Sequence, residues 1–275
     1  MPKGISLHIG LNRVDPIHYQ GWSGPLTACE ADAKSIQSIA LSQGFSPTLL
    51  LTESATRRTV IGELQEASKK LKSGDFLLLS YSGHGGQLPD LNGDEPDKQD
   101  ETWCLYDGQL VDDEIYYLLA LFTAGVRIFV LADSCHSGTS IKEQYYSDLD
   151  VSHDHIAVNT KRAMPSQVCL RVYEANKEMY DPILTDPNLK DTENQVKASA
   201  LLISGCQDNQ LSADGAFNGL FTSKLLTVWN EGAFVGSYKQ FHKKIVELMP
   251  PDQTPNYFIA GTIDTAFEKQ TPFSI

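Results

Sequence analysis

The chain has 275 residues, 41% of them hydrophobic and 21% charged, enough for one large domain or two small ones with a sizeable core. A formal net charge of -13 argues against nucleic acid or an anionic membrane as partner. Five cysteines without CxxC spacing exclude a disulfide framework and a zinc ribbon, and fit reduced thiols in a cytosol.

In chain order, near-continuous apolar runs predict strands over 5–10, 48–51, 76–81, 126–132 and 200–204, as in a parallel sheet buried on both faces. Helical periodicity predicts helices over 26–41, 57–71, 112–122, 220–229 and 238–248. The alternation gives an α/β class, with a central, mostly parallel sheet of about six strands and helices on both faces. Residues 140–197 are polar and show no sustained period, which reads as a surface insertion with a regulatory or processing role as the alternative. No run approaches the roughly 18 apolar residues of a membrane span, and the opening "MPKGISLHIGLN" reads as unexported, so the expectation is a cytoplasmic protein.

Ligand sites in open parallel sheets lie beyond the carboxyl ends of the strands. "SGHGG" follows one predicted strand and "DSCHSG" another, so His84 and Cys135 are expected at one edge of the sheet. His84 is the better base for a Cys135 nucleophile than His136, whose side chain would have to fold back on its neighbour. Ser134 and Ser137 are weaker nucleophile candidates because the glycines of a serine elbow are missing. Gly83, Gly85 and Gly86 leave main-chain N–H groups open to a developing oxyanion.

The ordered set "YSGHGG", "DLNGDEPDKQDE", "VDDEI", "DSCHSGT", "LLISGCQDNQLSAD" and "FNGLFTSKLL" resembles the metacaspases, cysteine peptidases of the caspase clan. The resemblance implies a caspase-like three-layer sandwich in a single domain: a large-subunit-like region over 1–139, an insertion or linker over 140–198, and a small-subunit-like region over 199–275. It implies a Cys135 nucleophile, a His84 base, an oxyanion hole with the Gly85 and Cys135 amides, and an acidic pocket for Arg or Lys made by Asp32, Ser82 and Asp133. The first-helix motif departs from the family pattern, with Ala28-Cys29-Glu30-Ala31-Asp32 where Gly-Cys-x-Asn-Asp is usual. A catalytically silent binding module is the alternative reading.

Asp90, Asn92, Asp94 and Glu101 mimic EF-hand spacing, but Glu95 stands where the turn needs glycine. The family's own calcium acids map onto Asp100, Asp112 and Asp113, while Lys142 replaces a further acid. No organic cofactor is required, and calcium is expected to bind weakly or be dispensable. Protein or peptide substrates are the expected partners, a monomer is the favoured state, and Lys161-Arg162 is a candidate self-processing site. His153 and His155 read as solvated.

Overall fold

A computed structural model describes residues 2–93, 95, 97–134, 161–206, 214–215 and 217–275. Cys135 and Lys142 lie outside the described residues, as do Asp94, His136, Ser137, His153 and His155.

Six strands form the central sheet: β1 (Gly4–Gly10), β2 (Ser46–Leu51), β3 (Phe76–Ser82), β7 (Arg127–Asp133), β8 (Ser199–Ser204) and β9 (Asn256–Gly261), in the order β2-β1-β3-β7-β8-β9. All neighbours run parallel except β8 and β9. The inner strands β3 and β7 are buried almost throughout, which is why their sequences FLLLSYS and RIFVLAD do not alternate. β9 has a mixed sequence with partly exposed side chains, and it completes the sixth place that the apolar runs alone left open.

Two apolar layers sandwich this sheet. One packs Leu7, Leu77, Leu79, Ile128 and Val130 against Val60 and Leu64 of α2 (Arg57–Lys70) and Leu118 of α3 (Asp112–Ala120). The opposite layer packs Leu78, Phe129 and Leu201 against Ile36 of α1 (Cys29–Ser42), Phe221 of a later helix (Leu220–Trp229) and Phe241 of another (Tyr238–Leu248).

A second, antiparallel sheet, β4 (Gly85–Pro89), β5 (Gln99–Leu105) and β6 (Gly108–Val111), grows from the end of β3. Beside it the expectation of a segment without secondary structure fails. The described part of 140–197 forms α4 (Ser166–Ala175) and α5 (Lys177–Leu184), whose Val168, Cys169, Val172 and Tyr180 build a third apolar cluster with Leu88, Cys104 and Val111. A polar segment is thereby an integral layer, because a few correctly spaced side chains suffice to bury one face of a short helix. The two last long helices are α6 (Leu220–Trp229) and α7 (Tyr238–Leu248), followed by the short α8 (Thr265–Lys269). No helix among the described residues is long and apolar enough to cross a membrane.

Candidate active site

β3 and β7 are neighbours, with Ser82 opposite Asp133 in register at their carboxyl ends. Each strand therefore delivers its polar terminus to the same edge, and Cys135 follows Asp133 by two residues in the chain. The main chain of His84 is clamped by two donors to its carbonyl, the Tyr81 hydroxyl at 2.7 Å and the Cys104 amide at 3.0 Å.

The His84 ring is buried against Trp22, with centroids 4.8 Å apart, and its Nε2 lies 3.0 Å from the Gly24 carbonyl. A carbonyl only accepts, so that contact assigns the proton to Nε2 and leaves a lone pair on Nδ1. Nδ1 is buried and has no hydrogen-bond partner among the described residues. Burial pushes the imidazole down to about 4, with the Arg162 guanidinium adding to the fall and the Gly24 carbonyl opposing it. At neutral pH the ring is a free base, the form that a general base requires.

Asp32, Ser82 and Asp133 converge as one polar cluster, and its occupant is a residue of this chain. Arg162, read from the sequence as part of a polar, cuttable stretch, is fully buried in it. Its Nη2 is 2.7 Å from Asp32 Oδ2 and 2.9 Å from Asp214 Oδ1, and its Nη1 is 2.9 Å from both Asp133 Oδ2 and the Ser82 hydroxyl. Two separate nitrogens thus meet three carboxylates, an arrangement suited to a planar guanidinium fork. Ser82 in turn donates to Asp32 at 2.8 Å.

Further donors hold the acids in place. The Gly219 amide and the Asn218 side chain donate to Asp32 Oδ1, each at 2.9 Å. Thr222, in the first turn of α6, donates to Asp133 Oδ2 through its hydroxyl at 2.9 Å, so the helix N-terminus faces a carboxylate. A side chain at Gly219 would meet the guanidinium, since a Cβ there would lie 2.4 Å from Arg162 Nη2. Burial and the adjacent Asp133 push the Asp32 carboxyl up, against the pull of Arg162. Asp214 is held below its ordinary value: burial is outweighed by the Thr27 amide, which donates at 2.7 Å, and by Arg162.

Asp214, Asn218 and Thr222 were not singled out in the sequence, and Arg162 was singled out only as a candidate cleavage site. They come from the region after β8 and from the supposed insertion, and no local spacing ties them to Asp32, which stands 186 positions from its partner Asn218. The main chain beside Arg162 is equally ordered. The Gly85 amide donates to the Arg162 carbonyl at 2.9 Å, and the Met164 amide donates to the Gly85 carbonyl at 2.7 Å. The Arg162–Ala163 peptide bond therefore lies along the edge that carries His84, its carbonyl on the amide expected to face an oxyanion.

The described cysteines, Cys29, Cys104, Cys169 and Cys206, are all buried. Burial pushes the Cys29 thiol up to about 12 and raises Cys104 well above its ordinary value. Structural thiols of this kind are inert.

A second acidic cluster sits at the start of α3. Carboxylate oxygens of Glu95, Glu101 and Asp112 lie within 4.8 Å of one another, an oxygen donor set suited to a hard dication. Of the expected trio, Asp112 belongs to this group, while Asp100 and Asp113 act on it by charge. Burial, then Glu101, Asp113, Asp100 and Glu95, push the Asp112 carboxyl well up. Asp113 also accepts from the Asn92 amide at 2.9 Å.

Comparisons with known proteins bear on the family and the fold. A family model described as the caspase domain, Peptidase_C14, matches residues 14–272. Metacaspase-1 of Mycosarcoma maydis is 26% identical over 90% of this chain and 67% of its own length, and Metacaspase-1 of Coccidioides immitis is 30% identical over 81% and 53%. The chain spans about half to two thirds of the length of such relatives. The crystal structure of protein GSU0716 from Geobacter sulfurreducens is 57% identical over 100% of this chain and 99% of that one, with a TM-score of 0.90. Caspase-1 from Spodoptera frugiperda, 11% identical over 94% and 86%, shares the fold at a TM-score of 0.52.

Proposed function

Because the chain belongs to the caspase-domain peptidase family, we propose that it is a cysteine endopeptidase cleaving after arginine or lysine, and that its own Arg162–Ala163 bond is a substrate. The observation that carries this reading is the seat of Arg162. Its side chain fills the cluster of Asp32, Asp133 and Asp214 while its carbonyl accepts from the Gly85 amide.

The chemistry follows from those groups. Cys135 is the nucleophile, in keeping with the buried state of the four described cysteines. His84 takes the thiol proton on Nδ1 while Nε2 stays bonded to Gly24. The thiolate attacks the carbonyl, the Gly85 N–H stabilises the oxyanion, and the imidazolium delivers its proton to the leaving amine. Water, activated by the same imidazole, then frees the acyl group. Asp32, Ser82 and Asp133 select the cation at the substrate position, Asp214 joins them, and the buried acids disfavour an acidic side chain there.

A dication at the second cluster would be held by Glu95, Glu101 and Asp112, and would supply charge neutralisation outside the peptide-bond chemistry. With Lys142 contributing positive charge, hydrolysis proceeds without calcium, and strict calcium dependence against a chelator control would contradict that. The substrate reading is tested with paired fluorogenic peptides ending in Arg or Asp, using Cys135→Ala as control. Cleavage after Arg, abolished in the variant, is expected; cleavage after Asp alone, or of neither peptide, overturns it, the latter favouring a silent binding module.

A further inference from the structure

The two sides of the Arg162–Ala163 bond are held differently, and the amine side is built into the domain. Met164 is 1% exposed and packs in the apolar cluster with Val168, Cys169 and Val172 of α4. Its amide is bonded to the Gly85 carbonyl, and its carbonyl accepts from the Cys169 thiol at 3.6 Å. β4 makes room for this approach, since a Cβ at Gly86 would stand 2.7 Å from the Met164 methyl carbon. Pro165 then opens α4, its carbonyl accepting from the Val168 and Cys169 amides. An ordinary leaving peptide diffuses away after acylation; this one is anchored by the core.

From this anchoring, and resting on the peptidase reading above, we infer that the enzyme reseals its own cut. When the Cys135 thiolate displaces the Ala163 nitrogen, the new α-amine stays beside the thioester because Met164 and α4 keep their places. Amines positioned in this way act at effective molarities of ~10⁵ M or more, so the Ala163 amine outcompetes water. The resealing step balances without any co-reactant. The Ala163 nitrogen attacks the Arg162 carbonyl carbon, the carbon–sulfur bond breaks, and the amine proton passes through His84 Nδ1 to the departing thiolate. The oxyanion rests on the same Gly85 amide in both directions. The chain thus performs peptide ligation at its own active site, and the 162–164 segment is a reversible latch instead of a propeptide consumed once.

Weakening the anchor separates this from ordinary processing by the sign of the effect. Full-length wild type, Met164→Ala and Val168→Ala are incubated at neutral pH and quenched in denaturant. The fraction of chain beginning at Ala163 is read by mass spectrometry, with thermal unfolding recorded for each protein. Resealing predicts that looser docking raises the cut fraction at least about fivefold, because the amine escapes and water takes over. If water already resolves the thioester, looser docking removes substrate binding and the cut fraction falls, which overturns the inference.

If a variant does not fold, wild type with and without hydroxylamine decides. Resealing predicts a chain intact in buffer that is captured in hydroxylamine as a fragment ending in an Arg162 hydroxamate, and a chain cut equally in both, or intact in both, overturns the inference. Arg162→Gln, which cannot cut itself at this bond, is assayed in parallel on arginine peptides. Peptide cleavage without the predicted response of the anchor variants sinks the resealing alone, whereas absence of peptide cleavage by both wild type and an Arg162→Gln protein shown to be folded by thermal unfolding sinks the peptidase reading beneath it.

Discussion

Asp32, Asp133 and Asp214 converge on a guanidinium, whereas Glu95, Glu101 and Asp112 converge on one another. Both clusters gather acids at helix N-termini, where the helix dipole favours negative charge. In the first, a cation with two nitrogens and several fixed donors offset the repulsion. In the second, burial and then the neighbouring acids push the Asp112 carboxyl well up, although the Asp113 amide donates to it at 3.0 Å. The difference shows what marks a recognition pocket. It is the convergence of several acids on one buried cation, more than the number of acids in one place.

Removing the guest is the strongest way to break this contrast. Arg162→Gln leaves three buried carboxylates without their cation, and loss of one partner of a buried pair typically costs about 3–5 kcal/mol. Unfolding in denaturant should register that loss, and a guanidinium-bearing peptide should restore much of it. The same variant is expected to cleave arginine peptides at least about tenfold faster than wild type, because the competing internal side chain is gone. Equal rates would mean that Arg162 does not compete for the site.

Neutralising one wall of the emptied pocket comes next. Asp133→Asn on the Arg162→Gln background should lower kcat/KM for an arginine peptide by about 100-fold, corresponding to a lost charge-assisted hydrogen bond of about 2–3 kcal/mol. The effect is expected to be several times smaller for an uncharged side chain at that position.

The guest also acts on the base. Burial and the Arg162 charge hold His84 down to about 4. Titration of the His84 ring by NMR in Cys135→Ala should give a value near this, and adding Arg162→Gln should move it toward 6.5. Between those values the unfolded chain binds more protons than the folded one, so the His84 contribution to stability is lost as pH falls through the window. An unchanged ring titration would detach the pocket charge from the base.

The second cluster gives the smallest effect. Asp112→Asn removes a carboxyl that burial and its neighbours disfavour in the charged form, and should stabilise the protein by about 1 kcal/mol at neutral pH. Any rise in Tm caused by added calcium should shrink in this variant. Destabilisation instead would show that the Asp112 charge is satisfied by a partner.

What the sequence revealed follows the same division between local and distant pairing. β1, β3, β7 and β8 were legible because strands buried on both faces read as apolar runs. His84 was legible because it stands just beyond the end of such a strand, whereas Asp32, Ser82 and Asp133 were expected only from the resemblance to the metacaspases. β4 and β6 were hidden by glycine and glutamine, and β9 by its mixed, half-exposed pattern. α4 carries its signal in Val168, Cys169, Val172 and Tyr173, one face of a helix, but only ten residues long within polar surroundings. Arg162 was read as part of a polar, cuttable stretch because charged residues are rarely buried unless paired. Its partners stand on β3, β7, α1 and the region before α6, an assembly that no window of sequence contains.

The account turns on one site in which an arginine pocket serves the Cys135 nucleophile. Its most direct test is to label Arg162→Gln with an arginyl chloromethyl ketone and locate the adduct by peptide mass spectrometry, beside an aspartyl analogue. One arginyl group per chain on Cys135, with little reaction of the aspartyl reagent, is the predicted result. An adduct on another cysteine, or equal labelling by both reagents, would contradict it.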